Sequence, residues 1–465
     1  MRQEAEAADI VIVNHHLFFA DLNIRGNEYG RVLPDYAAVI FDEGHLIEDI
    51  ASDYFGFQVS SYQLDELVRD VERLPITDVQ LNRDLTKQSA KIINFSDQFW
   101  SRFVQGRGQD GRFPIPLNSF ANQNKTGEIE ATPLGEAYFA LDNALTRLET
   151  TLKGLDDDVS EIESVVRRTQ QVRFDLDFIA SQAEKHYVYW MERRGRGMFL
   201  RASPIDVSAL LQDKLFDKVE TCVLTSATLS SNGKFDFIKN RLGLDDDEKT
   251  KSLLAPSSFN YEKQAIIYLP KAMPDPRSPE YTTIAANEIV KLLQITEGRA
   301  FILSTSLSAM NALYELVSMR VDFPCFVQGS MSKTGLLDQF RVTRNSVLFA
   351  TSSFWQGVDV RGEQLSCVVI DKLPFAVPTD PIVAARTKFI DEQGGMSFFE
   401  YSVPNAVITL KQGVGRLIRS ATDRGVIALL DSRIRTKGYG KDFLNSLPRM
   451  RITTELKDVN SVFNG

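Results

Sequence analysis

The sequence predicts an α/β fold in two parallel-sheet layers, with a helical insertion inside the first. Three observations predict it. Apolar runs of strand length, each ending in polar residues, alternate with amphipathic stretches from about residue 299 onward. Two similar runs stand near the start, and the residues between these groups are highly charged and carry a heptad seam. Strand, helix, strand in this rhythm is the pattern of a doubly wound parallel sheet, and sustained heptads are the pattern of packed helices.

Taken in order, DIVIVN (Asp9 to Asn14) and AAVIFDEGH (Ala37 to His45) read as buried parallel strands ending in polar residues. From about Ser60 to Arg196 strand-like runs are few. The Gly, Asn, Gln and Pro content of Gln105 to Lys125 reads as a loop. Leu141, Leu145, Leu148, Leu152, Leu155, Val159, Ile162 and Val166 alternate spacings of four and three, a seam that predicts long packed helices hinged near Gly154 and acting as core. Strand character returns at KVETCVLTSATLS (Lys218 to Ser230), and the Pro-rich passage Leu269 to Pro279 reads as a linker. RAFILSTS (Arg299 to Ser306), FPCFVQ (Phe323 to Gln328), SVLFATSS (Ser346 to Ser353), LSCVVIDKL (Leu365 to Leu373) and GVIALLD (Gly425 to Asp431) are the strands of the second layer.

The 465 residues, 43% hydrophobic and 25% charged, suit two or three full-sized domains and exclude a disordered, collagen-like or coiled-coil-only chain. No apolar run approaches bilayer length and Met1 opens onto a charged, non-secretory stretch, so no membrane association and a cytoplasmic location are expected. Cys222, Cys325 and Cys367 lie far apart in strand-like contexts and read as buried reduced thiols, and His15, His16, His45 and His186 lack metal-ligand spacing. Net charge is −9, yet Lys411 to Arg451 holds ten Lys or Arg against three Asp, a local excess suited to phosphate oxygens or to a solvated face.

The strongest local signal is VIFDEGH (Val39 to His45). A strand ending in two carboxylates places both at the C-terminal edge of a parallel sheet, where α/β folds bind ligands. There Asp42 can hold Mg²⁺ while Glu43 orients an attacking water. In LKQGVGRLIRS (Leu410 to Ser420) a helix would put Gln412, Arg416 and Arg419 on one face and Val414, Leu417, Ile418 and Ala421 on another, presenting two guanidiniums to phosphate. A plain basic surface helix is the alternative, although Gly413 and Gly415 would weaken it. ATSSFWQGVDVRG (Ala350 to Gly362) offers Gly357 and Gly362 for a tight backbone, Asp359 as a carboxylate, and Phe354 with Trp355 for packing. VLTSATLS (Val223 to Ser230) supplies small hydroxyls after a strand.

In this order the set resembles the superfamily-two helicases of the XPD/DinG-like branch. The matching pieces are ADIVIVNHHLFFADL (Ala8 to Leu22), DEGH, TSATLS, FILSTS, FVQGSMSK (Phe326 to Lys333), SFWQGVDVRG, IDKLPFAVPTDPI (Ile370 to Ile382) and LKQGVGRLIRS, covering nearly the whole chain. The resemblance implies an ATP-driven 5′-to-3′ DNA helicase, stimulated by single-stranded or forked DNA and monomeric. Two RecA-like motor domains are implied: a partial first one over 1–60 and 197–265, interrupted by an arch-like helical insertion over 61–196, and a second over 266–465. It further implies that Asp42 and Glu43 are the Mg²⁺ and water-activating pair, and that His45 senses nucleotide and couples it through Thr225, Ser226 and Thr228. Gly357, Asp359 and Gln412 are implied to face ATP, with Arg416 and Arg419 reaching it across the cleft between motor domains. Ser304, Thr305, Thr351 and Ser352 are implied to lie on the nucleic-acid side.

The chain departs from that family in two places. No G-x-x-x-x-G-K-[ST] phosphate loop occurs, the nearest look-alike being GSMSKT (Gly329 to Thr334) with the wrong spacing, and no four-cysteine cluster for the family's iron–sulfur centre is present. In the family both precede the segment resembling Ala8 to Leu22, so a chain lacking an amino-terminal portion is expected, inactive alone. Gly44 also replaces the usual Ala of the acidic box. Two other functions stay open: a non-catalytic module binding single-stranded DNA or a partner after losing its ATP site, and a translocase that does not separate strands.

Overall fold

The structure, a computed structural model, describes residues 2–25, 30–104, 110–123, 129–155, 160–246, 248–351, 354, 360 and 362–463. In chain order the strands are β1 (Ala38–Asp42), β2 (Phe57–Ser60), β3 (Gly111–Pro114), β4 (Ala121–Gln123), β5 (Ile129–Ala131), β6 (Tyr187–Arg194), β7 (Gly197–Pro204), β8 (Thr221–Thr225), β9 (Ala265–Tyr268), β10 (Ala300–Ser304), β11 (Cys325–Val327), β12 (Val347–Thr351), β13 (Cys367–Ile370), β14 (Gly425–Leu429) and β15 (Arg451–Thr453). The chain divides into two compact units, one of Met1–Val39, Leu46–Thr221 and Val377–Gln393, the other of Ile40–His45, Cys222–Ala376 and Gly394–Gly465.

The first unit packs helices against an antiparallel sheet of order β2-β7-β6-β3. Its helices start where side chains satisfy the open amides of the first turn: Ser60 and Gln63 form a reciprocal capping box for Ser61–Glu72, and Thr132 with Pro133 opens Pro133–Lys153. The heptad seam is split between Pro133–Lys153, which ends at Gly154, and Ser160–Ser181. Leu141, Leu145, Leu148, Leu152, Ile162 and Val166 are all buried in one core, while Val159 lies outside the described residues. Helix Pro381–Glu392, capped by Asp380, contributes the buried Arg386. Its guanidinium pairs with Glu48 and Asp49 at 2.9 Å each and bonds Ser52 Oγ at 3.1 Å, all on helix Ile47–Tyr54.

The second unit is built on a seven-stranded sheet of order β11-β12-β10-β13-β14-β9-β15, parallel throughout its pairings. Every residue of β9, β10, β12, β13 and β14 is buried, with one apolar cluster on each face, as a doubly wound sheet requires. Register sets Ser304 beside Thr351 and Leu303 beside Ile370, so their loops leave from one edge. β1 and β8 pair as a separate two-stranded sheet.

Several expectations are corrected. Asp9 to Asn14 is not a strand: Ile10 and Ile12 are 81% and 93% exposed, because apolar alternation gives strand propensity but not a ladder partner. Asn14 instead caps helix His15–Ile24, accepting from Leu17 N at 2.7 Å. β1 forms as expected but buries only Phe41, leaving Ile40 72% exposed, since a two-stranded sheet covers little surface. The stretch read as a loop contains β3 and β4, and the insertion holds a sheet as well as helices. Leu269 to Pro279 is coil inside the second unit, between β9 and helix Tyr281–Thr296, rather than a link between compact units. β9 and β15 were not anticipated, although AIIYL at residues 265–269 carries the β-branched signal of a buried strand.

Candidate functional site

The acidic box sits at the end of β1, and its turn is tight. Glu43 adopts φ of 51°, left-handed space that costs a non-glycine residue energy and that clusters at functional sites. Gly44 follows, and a β-carbon there would stand 3.1 Å from Leu224 Cβ on β8. The glycine therefore fits a close approach of two backbones, and an alanine would need β8 to yield by a few tenths of an ångström. Asp42 Oδ1 accepts from Glu43 N at 3.0 Å, and both carboxylates are exposed.

A chain of hydrogen bonds runs from Glu43 into the hydroxyl motif and on to the late glutamine. Ser226 Oγ donates to Glu43 Oε2 at 2.8 Å and lies 3.1 Å from Thr228 Oγ1. His45 Nδ1 faces Ser226 Oγ at 3.1 Å, Thr228 Oγ1 at 3.2 Å and Glu43 Oε2 at 3.4 Å. On the other side of the ring, Gln412 Nε2 is 2.6 Å from His45 Nε2. An amide nitrogen can only donate, so His45 Nε2 accepts and the ring proton sits on Nδ1, facing the hydroxyls and the carboxylate. The imidazole is 7% exposed and Glu43 48%, so the network links a solvent-facing acid to a buried glutamine through one ring. All of these groups belong to the second compact unit.

The late motif is positioned differently from the expectation. Helix Val403–Val414 ends at Gly415, so Arg416 and Arg419 follow it in a turn and do not share a helical face with Gln412. Gly413 and Gly415 lower helix propensity there, and burial of Leu417 and Ile418 fixes the irregular turn. Asp423 holds it, accepting from Arg419 N at 2.7 Å, Ser420 N at 2.8 Å and Ser420 Oγ at 2.7 Å. Gln264 ties it to the sheet by donating to the Ser420 and Asp423 carbonyls at 2.8 and 3.0 Å. Arg416 and Arg419 are half-buried. Burial first, and then the Arg416 charge, push the Lys333 ammonium pKa down.

Lys411, which the sequence reading passed over although it adjoins Gln412, donates from Nζ to Ser230 O at 2.8 Å and Ser230 Oγ at 3.2 Å. The late helix is thus bonded to both the acidic box and the hydroxyl motif. Thr225 is exposed at the end of β8. Thr351 is buried, its N and Oγ1 both donating to Gln328 Oε1, at 2.8 and 3.0 Å. Ser304 is 0% exposed on β10 between β12 and β13, so its hydroxyl does not face a nucleic acid in this arrangement, and half-buried Thr305 is the one that reaches solvent. Ser352, Gly357 and Asp359 lie outside the described residues, as does Trp355. Phe354 is buried in the core, with Lys333 Nζ 5.2 Å from its ring centroid.

Among the described residues no three His, Cys, Asp or Glu side chains gather into a metal cage. Mg²⁺ commonly uses one or two carboxylates together with substrate phosphates, and exposed Asp42 fits that need. An iron–sulfur cluster does not fit. The three thiols stand on β8, β11 and β13, and burial pushes them up to about 12, 11 and 12, away from the thiolate form a cluster needs. No helix among the described residues is long and apolar enough to cross a membrane.

Parallel sheet, acidic box, hydroxyl motif and glutamine–arginine motif together define a nucleotide-driven motor. Residues 289–450 match the family described as "Helicase C-terminal domain". The ATP-dependent DNA helicase YoaA of Haemophilus influenzae is 35% identical over 458 residues, covering 98% of this chain and 69% of that protein. The ATP-dependent helicase DinG of Mycobacterium tuberculosis is 31% identical over 465 residues, covering 99% and 67%. The solved structure of S. tokodaii Xpd4 shares the fold at a TM-score of 0.55 and 15% identity, covering 92% of this chain and 78% of that one. The chain belongs to the XPD/DinG-like branch of the superfamily-two helicases, the branch that includes YoaA.

Proposed function

We propose that this chain carries the motor of an ATP-dependent DNA helicase in which Asp42 and Glu43 serve phosphate hydrolysis and the His45 network reports it. The hydrogen-bonded series Glu43, Ser226, His45, Gln412 carries the reading, because it joins a water-polarising carboxylate to the helix that leads into Arg416 and Arg419. In this mechanism Asp42 holds Mg²⁺, which neutralises phosphate charge when bound, and Glu43 orients the attacking water. Loss of the γ-phosphate changes the demand on Glu43, and Ser226 passes that change to His45. Arg416 and Arg419 balance negative charge on the phosphates, and Gly357 and Asp359 are assigned to nucleotide binding by resemblance. Thr305, the hydroxyl of its set that reaches solvent, borders the DNA path, and Ser352 is assigned to the same role by resemblance.

The finer parts of the reading come from family resemblance. They are 5′-to-3′ polarity, stimulation by single-stranded or forked DNA, a monomeric cytoplasmic protein, and motor domains over 1–60 with 197–265 and over 266–465 around an arch-like insertion at 61–196. One observation favours a second reading for the 465 residues by themselves: they contain no phosphate-cradling G-x-x-x-x-G-K-[ST] loop, so a module binding single-stranded DNA or a partner without turnover is the alternative.

Titrating the chain with a labelled single strand at two salt concentrations, with and without ATP, tests the shared DNA-binding claim. Binding that weakens steeply with salt is expected, because Lys and Arg displace counterions from phosphates. Absence of binding even at low salt would remove DNA from both readings. Affinity that responds to ATP favours the motor over the module.

A further inference from the structure

Two large aromatic side chains stand at the surface of the second unit where core packing would hide them. Phe398 is 40% and Phe399 52% exposed, with Met396 beside them in sequence and also exposed. Behind them the rings are ordered. Phe375 and Phe398 stack with centroids 5.8 Å apart and planes 21° apart, Tyr439 meets Phe398 edge-on at 5.3 Å, and Phe399 meets Phe398 edge-on at 5.2 Å. Phe375 and Tyr439 pack on the core, so the inner rings have a structural role and the outer ones lie over it. Clustered exposed aromatic area marks a binding surface.

The charge around this patch selects the partner. Arg433 lies over the Phe375 ring at 5.5 Å while its guanidinium is paired with Asp431 at 2.6 Å, so the charges open to a partner are those of exposed Lys437 and Lys441, which flank Tyr439 in sequence within the segment where ten Lys or Arg meet three Asp. Glu400, accepting from Met396 N at 2.9 Å, closes the turn that presents the rings. Aromatic faces bordered by cations are the recognition chemistry of single-stranded nucleic acid, whose unpaired bases offer π-faces that a duplex keeps stacked within.

The placement in the fold adds a mechanical argument. Phe398 and Phe399 open the wide helical turn Phe398–Ser402, which continues directly into helix Val403–Val414. Tyr401 of that turn is buried, 6.1 Å from Phe237 and under Arg241 at 5.4 Å, on helix Asp236–Leu242 beyond the hydroxyl motif. At the other end, about 18 Å along a helix of this length, Lys411 bonds Ser230 and Gln412 bonds His45.

We propose that Phe398 and Phe399, backed by Phe375 and Tyr439, are a base-stacking platform for single-stranded DNA, joined by helix Val403–Val414 to the His45 network. This rests on the DNA-binding reading above and names the surface that holds the bases. A phosphate-only contact would need no rings, and an apolar protein partner would need no bases.

The test compares the intact chain's affinity for an oligothymidine strand and for an abasic strand of the same length, in wild type, Phe398→Ala/Phe399→Ala and Phe399→Trp, with near-ultraviolet circular dichroism confirming folding. The platform predicts that wild type binds the abasic strand about tenfold more weakly. The double variant should bind oligothymidine at the abasic level while its abasic affinity is unchanged, and Phe399→Trp should retain the preference. Equal wild-type affinity for the two strands, or a double variant that keeps the preference for bases, overturns the platform and leaves DNA binding standing. A double variant that loses both strands equally also overturns it. If wild type binds neither strand, the DNA-binding reading falls and the platform with it.

Discussion

At the residue scale, the site turns on which nitrogen of His45 carries the proton. Gln412 donates to Nε2 at 2.6 Å, which leaves Nδ1–H to address Ser226, Thr228 and Glu43. Removing the amide removes the reason for that tautomer. Gln412→Ala is therefore expected to shift the His45 ring from the Nδ1–H form toward Nε2–H, read by nitrogen NMR of histidine-labelled protein. An unchanged ring would show that Gln412 does not set it. The acidic box was legible in the sequence because a strand ending in paired carboxylates is a local pattern, and the hydroxyl motif because it follows a strand. The link between them was not, since Ser226 lies far along the chain from Glu43 and only the fold brings them together. Arg416 and Arg419 were identified as residues but placed on the wrong element, because i, i+4, i+7 spacing assumes a helix that Gly413 and Gly415 do not sustain.

At the element scale, the insertion carries a buried acid that the nucleotide site does not use. Asp175, on helix Ser160–Ser181, is buried beside Gln171, whose Nε2 donates to Oδ1 at 2.8 Å, and burial pushes its carboxyl up to about 7. The folded state thus holds this proton more tightly than the unfolded one. The resulting stability is fully present below about pH 4 and is lost as pH rises through about 7, where a charge must be buried. Asp175→Asn, which keeps an acceptor for Gln171, should equal wild type near pH 4. By pH 8 it should exceed wild type by on the order of 3 kcal/mol in denaturant unfolding. A difference independent of pH would mean that Asp175 ionises without penalty. The helices around it were readable from the seam, whereas the sheet β2-β7-β6-β3 was hidden because it is antiparallel and partly polar and because β2 and β3 lie far in sequence from the β6–β7 hairpin. The clamp of Arg386 on Glu48 and Asp49 was equally hidden. Deleting such a buried arginine would leave Glu48 uncompensated, a loss of about 3–5 kcal/mol.

At the scale of the whole molecule, the second sheet, its helices and its motif order followed from period and spacing, since five of its seven strands are continuous apolar runs between helices. The first sheet was predicted more fully than it is built, with Asp9 to Asn14 unpaired in any ladder among the described residues and β1 largely exposed. The motor reading places catalysis on Glu43 and makes the phosphate loop, missing from these 465 residues, indispensable to turnover. The direct measurement is DNA-stimulated ATP hydrolysis by three proteins side by side: this chain alone, this chain with a segment bearing a G-x-x-x-x-G-K-[ST] phosphate loop fused ahead of it, and that fusion with Glu43→Gln. The account predicts no turnover, robust turnover, and at least a hundredfold loss with nucleotide binding retained. Turnover by the chain alone at the fusion's rate, or an undiminished Glu43→Gln variant, would contradict it.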